Sequence, residues 1–162
     1  MNTQHDAGAR LPAGVSVGHW TDAQGRTGCT VVLVPDGAAA GVDVRGGAPD
    51  TISADGLRPG TVNQRAHAIL LTGGSAFGHA AASGVLRYFE ERGIGLMFGS
   101  VAVPIVAGAV IFDLMVGDPM ARPGPEAGYA ACAAATTSPA LAPVPAPTAP
   151  RAGLAVAAPQ AA

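Results

Sequence analysis

Hydrophobic positions along the chain fall into short runs, separated by clusters of glycine, proline and aspartate. The runs at 15–19, 29–34 and 66–72 are rich in β-branched residues and leucine and are too short for helices, so they predict strands. Positions 22–28 read as a polar turn. Pro35-Asp36-Gly37 is a strong turn signal, with 41–45 returning as an antiparallel partner. Positions 46–60, with Pro49 and Pro59, predict a loop. From Ala76 to Arg92 the period becomes helical: Phe77, Ala81, Val85 and Tyr88 fall near one face, and Arg87, Glu90, Glu91 and Arg92 form a polar end. Ser75 is placed to cap this helix and Gly93 to end it. Strands are predicted again at 101–105 and 109–114, a loop at 117–124, and a helix opened by Pro125 and reaching about Thr136.

The pattern then lapses. Positions 130–162 hold fifteen alanines and six prolines, with Arg151 the one charged residue and no hydrophobic period. Alternating proline and alanine favours extended, unpaired backbone, so this tail is expected to be disordered. The organisation expected is a flexible N-terminus over 1–10, one domain over 11–133 and an Ala/Pro tail over 134–162.

Composition narrows the function classes. Charged residues are 12% of the 162, against the roughly 25% usual for soluble domains. All nine basic residues are arginine and none cluster, which gives nucleic-acid binding no support. Positions 93–112 carry no charge, long enough for a bilayer, but Gly93, Gly95, Gly99, Ser100, Pro104 and Gly108 interrupt them. Two buried strands joined by a bend explain this stretch better than a membrane helix. Cys29 and Cys132 lie far apart without a CxxC motif, which suits free thiols in a cytoplasmic protein.

The richest chemistry lies at Thr72-Gly73-Gly74-Ser75-Ala76-Phe77-Gly78, where a strand runs through glycines into a helix. A P-loop has the spacing of Gly73 and Gly78, but His79 and Ala80 stand where Lys and Ser/Thr are required. A dinucleotide fingerprint fails because Ser75 occupies the second glycine position. A nucleophile elbow, GxSxG, fails at Phe77, which would crowd a turn that demands a small residue. Helix capping is therefore the expected role of Ser75. His19, His67 and His79 form no metal-ligand spacing, so no metal or other cofactor is expected. Asp113 and Asp118 flank a strand end, where a charged pair near a site is one reading and solvated turn formers the expected one.

Five segments in register carry a resemblance: Gly18-His19-Trp20-Thr21-Asp22 with Gly28-Cys29-Thr30; the glycine turn at 71–78; Val103-Pro104-Ile105-Val106; Ala109-Val110-Ile111-Phe112-Asp113-Leu114; and Pro125-Glu126-Ala127-Gly128-Tyr129. Together they resemble the L-aminopeptidase/D-esterase family, the group of β-peptidyl aminopeptidases and nylon-oligomer hydrolases. The resemblance covers roughly 11–133, the N-terminal part of a family member. It implies an α/β fold that forms part of a four-layer α/β/β/α sandwich. It also implies a precursor that cuts itself before a Ser or Thr, which becomes an N-terminal nucleophile. A free α-amino group with a pKa near ~8 can then serve as base for the adjacent hydroxyl.

Carried over by position, Tyr129 matches the family's oxyanion tyrosine, while Gly73, Gly74, Ser75 and Phe77 match the substrate-pocket wall. The family's oxyanion Asn has no counterpart, since Asn2 and Asn63 do not fit, and no Ser or Thr after Tyr129 has the surroundings of the nucleophile. The expectation is a truncated hydrolase, inactive alone, whose family substrates are N-terminal residues of short peptides, amides and esters. A separately encoded C-terminal half and a homo-oligomer are the expected partners. The alternative is a non-catalytic binding or scaffold module that keeps half of the fold.

Overall fold

The computed structural model describes residues 11–138 and the short strand Leu154–Val156. The flexible N-terminus expected over 1–10, and the disorder expected through most of the Ala/Pro tail, fall outside the described residues. Within that tail, Thr136 forms a bridge with Val17, and Leu154–Val156 pairs with residues 40–42.

The architecture is one mixed sheet with helices packed on one face. Its strands are β1 (Ser16–Asp22), β2 (Thr27–Val42), β3 (Thr51–Ile52), β4 (Arg65–Thr72) and, later in the chain, β7 (Val106–Val110), in the spatial order β1-β2-β4-β7-β3. Helix α1 (Ala80–Glu90) connects β4 to its parallel neighbour β7, and the other pairings along this order are antiparallel. A parallel pair needs such a crossover because its strands start at the same end. A separate hairpin of β5 (Leu96–Phe98) and β6 (Val101–Val103) lies within the crossover, and helix α2 (Pro125–Ala133) follows the sheet. Leu154–Val156 is β8.

The principal core lies between sheet and helices. Val31 and Leu70 from the sheet meet Val85 and Phe89 of α1 and Cys132 of α2, all fully buried. Glycines set the spacing of the helices. A side-chain carbon at Gly84 would collide with the Pro125 carbonyl oxygen, and one at Gly128 with that of Ala81, so α1 and α2 touch backbone to backbone. The opposite sheet face carries a smaller cluster of Ile69, Ala107 and Ala66 under Leu57, while Leu71 stays 41% exposed. Helix layer plus sheet layer make up half of an α/β/β/α arrangement.

Several local expectations are corrected. Residues 41–45 do not return against 29–34. Instead β2 is one bent strand whose register against β4 shifts between Leu33 and Ala38. Gly37 takes φ 69 at the bend, and the Arg65 guanidinium donates to the Asp36 and Gly37 carbonyls at 3.3 and 2.5 Å. A bulge lets the chain continue in the same direction where a hairpin turn would reverse it. The loop at 46–60 contains β3 and a 3-10 turn, Ala54–Leu57. The strand expected at 109–114 lies three residues earlier, because Ala68 pairs with Val106 and Thr72 with Val110. The strand at 101–105 is shortened to β6 and joins the hairpin rather than the main sheet. No helix among the described residues is long and apolar enough to cross a membrane.

Candidate functional site

The glycine turn stands at the carboxyl end of the parallel pair β4 and β7. In α/β sheets this is where ligands bind, because the loops there splay apart. Backbone hydrogen bonds fix its ends: Gly73 N–H donates to Gly28 O at 2.9 Å, Ile111 N–H to Thr72 O at 2.9 Å, and Ser75 N–H to Ile111 O at 3.1 Å. Gly74 takes φ 87, a left-handed conformation that glycine adopts without steric cost.

A buried carboxylate locks the turn. Asp113 Oδ1 accepts the Gly74 N–H at 2.7 Å, and Oδ2 accepts the Thr27 hydroxyl at 2.6 Å. Asp113 is 7% exposed, so the expectation of a solvated turn former is overturned. A side chain at Gly73 would overlap both the Asp113 carboxylate and the Thr27 hydroxyl, which accounts for glycine there. Asp118 does behave as a turn former: it is exposed and accepts the Met120 N–H at 2.8 Å. Thr27 is the residue that sequence reasoning missed, and Asp113 the one whose role it misread. The available signal was an uncompensated Asp directly after an apolar strand.

Ser75 does not act as a cap through its side chain. Gly74 precedes the helical run, and Ser75 opens a 3-10 turn, Ser75–His79, with φ 52. Phe77 does not crowd the elbow either. The residue is 54% exposed, with the Arg122 guanidinium 3.7 Å from the ring centroid. The close approach is made by Gly78, where a side-chain carbon would strike the Gly73 carbonyl oxygen. Gly73, Gly74, Ser75 and Phe77 are thus together in one turn. His79 lies at its end, with Nε2 2.5 Å from Asp50 Oδ1.

Tyr129 lies elsewhere. Its hydroxyl donates to Glu91 Oε2 at 2.6 Å, and its ring meets Tyr88 edge-on at 5.6 Å. The Arg87 guanidinium lies 4.6 Å from the ring and holds Glu126 through two hydrogen bonds of 3.1 and 3.0 Å. The hydrogen bond to Arg87 holds the Glu126 carboxyl below its ordinary pKa, and the same bond raises that of Arg87. These partners belong to the carboxyl-terminal half of α1, to Glu91 just after it and to α2, whereas the glycine turn precedes the amino end of α1. At about 1.5 Å per residue, the eleven residues of α1 span roughly 16 Å. The Tyr129 backbone packs against Gly84 midway along α1, while its hydroxyl is held by Glu91 beyond the end of that helix.

The remaining candidates are structural. His67 is buried at the start of β4, and its Nδ1 accepts the Ile105 N–H at 3.0 Å. Burial, helped by the Arg65 charge, lowers its pKa from 6.5, which keeps the ring neutral as this hydrogen bond requires. His19 shares a hydrogen bond of 2.8 Å with Thr30. Cys29 and Cys132 are buried free thiols, and burial pushes their pKa values up to about 11 and about 12. A thiol in that state is a poor nucleophile. No group of three or more His, Cys, Asp or Glu side chains among the described residues could hold a metal ion.

The chain is 47% identical over 143 residues to an "uncharacterized aminopeptidase" of Mycobacterium tuberculosis, covering 83% of this chain and 40% of that protein. It is 37% identical over 118 residues to the 6-aminohexanoate-oligomer endohydrolase of Kocuria sp., covering 73% and 31%. The solved structure of a Burkholderia sp. beta-aminopeptidase shares the fold, with a TM-score of 0.60 at 22% identity over 80% of this chain and 38% of that one. The chain therefore spans about 40% or less of the length of these relatives. Residues 13–146, which include the glycine turn, its Asp113 lock and both helices, match peptidase family S58, and the chain belongs to that family.

Proposed function

We propose that this chain is the helix-backed half of a self-processing aminopeptidase that removes N-terminal residues from short peptides, amides or esters. In this reading the glycine turn forms a wall of the substrate pocket. A further segment supplies the N-terminal Ser or Thr nucleophile and the oxyanion Asn. Tyr129 supplies the second oxyanion donor once its hydroxyl leaves Glu91 for the reacting oxygen. Alone, the chain hydrolyses no peptide bond, because the acyl-transfer nucleophile and its amino-group base come from that segment.

The observation that carries the reading is the 47% identity to an aminopeptidase over a stretch that covers 40% of that protein. Leu71, on the face opposite the helices, is 41% exposed in an otherwise apolar patch, which suits a second sheet packed against it. The apolar hairpin residues Met97, Phe98 and Val101, 58–66% exposed, suit a homo-oligomer. Two free thiols suit the cytoplasm. The partners in this reading are peptides or amides, not nucleic acid or membrane.

The test is release of p-nitroaniline from amino-acid anilides. The chain alone should give none. The chain mixed with the complementary C-terminal portion of the M. tuberculosis relative should give turnover, lowered about 100-fold by Tyr129→Phe. Turnover by the chain alone, or a stable complex without turnover, would overturn the reading.

A further inference from the structure

The β5–β6 hairpin stands apart from the main sheet and carries the exposed apolar residues Met97, Phe98 and Val101. It joins the domain by two feet. At the first, Gly93 ends α1 with φ 62, and Ile94 N–H donates to the Phe89 carbonyl at 3.1 Å. At the second, Val103-Pro104-Ile105 leads from β6 into β7. Pro104 has no N–H to offer, so the polar hold on this foot falls to Ile105. The Ile105 carbonyl accepts the His67 N–H at 2.8 Å and the Ala68 N–H at 3.3 Å. The Ile105 N–H donates to His67 Nδ1 at 3.0 Å. His67 thus grips both polar backbone groups of Ile105, the carbonyl through its own backbone and the N–H through its ring.

This ring hydrogen bond works in one protonation state. A neutral imidazole that accepts at Nδ1 carries its hydrogen on Nε2. The second proton adds only at Nδ1, where the Ile105 N–H already points, and the imidazolium then sets donor against donor. The surroundings do not favour that charge. The charged neighbour on β4 is Arg65. The bend of β2 presents Gly37, where a side-chain carbon would stand 3.5 Å from Nε2, and α1 presents the Phe89 ring, edge-on at 6.4 Å. Burial first, and the Arg65 charge second, lower the pKa of the clipped ring from 6.5. A proton therefore binds the unclipped ring more readily, and release is favoured increasingly as pH falls below 6.5.

We propose that His67 is a proton-operated clip for the β5–β6 hairpin, which in mild acid lets go of the Ile105 N–H and frees the second foot. The first foot keeps its hydrogen bond to Phe89, and β7 keeps its pairing with β4, so the opening is local. The half-buried Ile105 side chain rests on the Ile69 cluster, which limits how far the foot moves. The apolar tip of the hairpin is thereby mounted on a support that loosens with acid. The clip is contained in this chain and does not depend on the peptidase reading, so the two fail separately.

The test reads amide hydrogen-exchange protection, corrected for the intrinsic pH dependence of exchange, and the His67 ring nitrogens by NMR on the full chain. At pH 7.5 the ring should be the Nε2–H tautomer. Between pH 7.5 and pH 5 the protection of the Ile105 N–H should fall about 10-fold, while staying below that of Leu70 in the core throughout. In His67→Gln, which does not titrate, Ile105 protection should not change with pH. An Nδ1–H tautomer at pH 7.5, Ile105 protection equal to that of Leu70, or a fall that persists in His67→Gln would overturn the proposal. Should that variant fail to fold, the tautomer and the Ile105-to-Leu70 comparison in the wild-type chain decide it.

Discussion

The glycine turn and the Tyr129 corner both border α1, yet they are held by opposite physics. At the turn, a buried carboxylate satisfies one backbone N–H and one hydroxyl, and glycines let main chain meet main chain. At the corner, arginines, glutamates and tyrosines interact in solvent, where charge pairs contribute little. The difference teaches where this fold tolerates change. The turn has fixed geometry and no slack, whereas the corner can re-pair its side chains without disturbing the core.

That contrast can be broken most severely at Asp113. Asp113→Ala leaves the Thr27 hydroxyl and the Gly74 N–H buried without their shared partner, a loss of about 4 kcal/mol in urea unfolding. Asp113→Asn, which still offers one oxygen, should lose clearly less. Equal losses for the two variants would show that side-chain volume, not the carboxylate, holds the turn. Gly78→Ala comes next, at about 3 kcal/mol, because the added carbon meets the Gly73 backbone and not a movable side chain.

An acid response falls between the two regions. The pKa of His67 is lowered in the folded chain, so the unfolded chain binds its proton more readily. Its contribution is present above pH 6.5 and is lost as pH falls below that value. Unfolding midpoints measured from pH 7.5 to pH 5 should decline, and the decline should shrink in His67→Gln. The smallest effects belong to the Tyr129 corner. Tyr129→Phe should cost under about 1 kcal/mol, since its hydrogen bond is exposed. Arg87→Gln should give a small loss that fades in high salt. A loss at Tyr129 equal to that at Asp113 would erase the distinction between the two regions.

Local sequence made much of the fold legible. The strand at 66–72, the helix ended by Gly93 and the helix opened by Pro125 are all visible in period and punctuation, and each is present. The bend in β2 was not legible, because a Pro-Asp-Gly turn and a bulge share the same residues, and Arg65, distant in sequence, selects the bulge. The strand at 106–110 was misplaced because an unbroken apolar stretch carries no register of its own. Its pairing with β4 assigns the register.

The candidate site divides the same way. Sequence by itself determined the family resemblance, the α/β class and the glycine turn, since these depend on residue identity along neighbouring positions. Tertiary structure alone decided that Asp113 and Thr27, 86 residues apart, close on Gly74, and that Phe77 faces solvent while Gly78 makes the tight contact. It also decided that the Tyr129 hydroxyl pairs with Glu91, just past the end of α1. The physical reason is that side-chain partners across a sheet depend on strand register and helix crossing, and those are settled only when the whole layer packs.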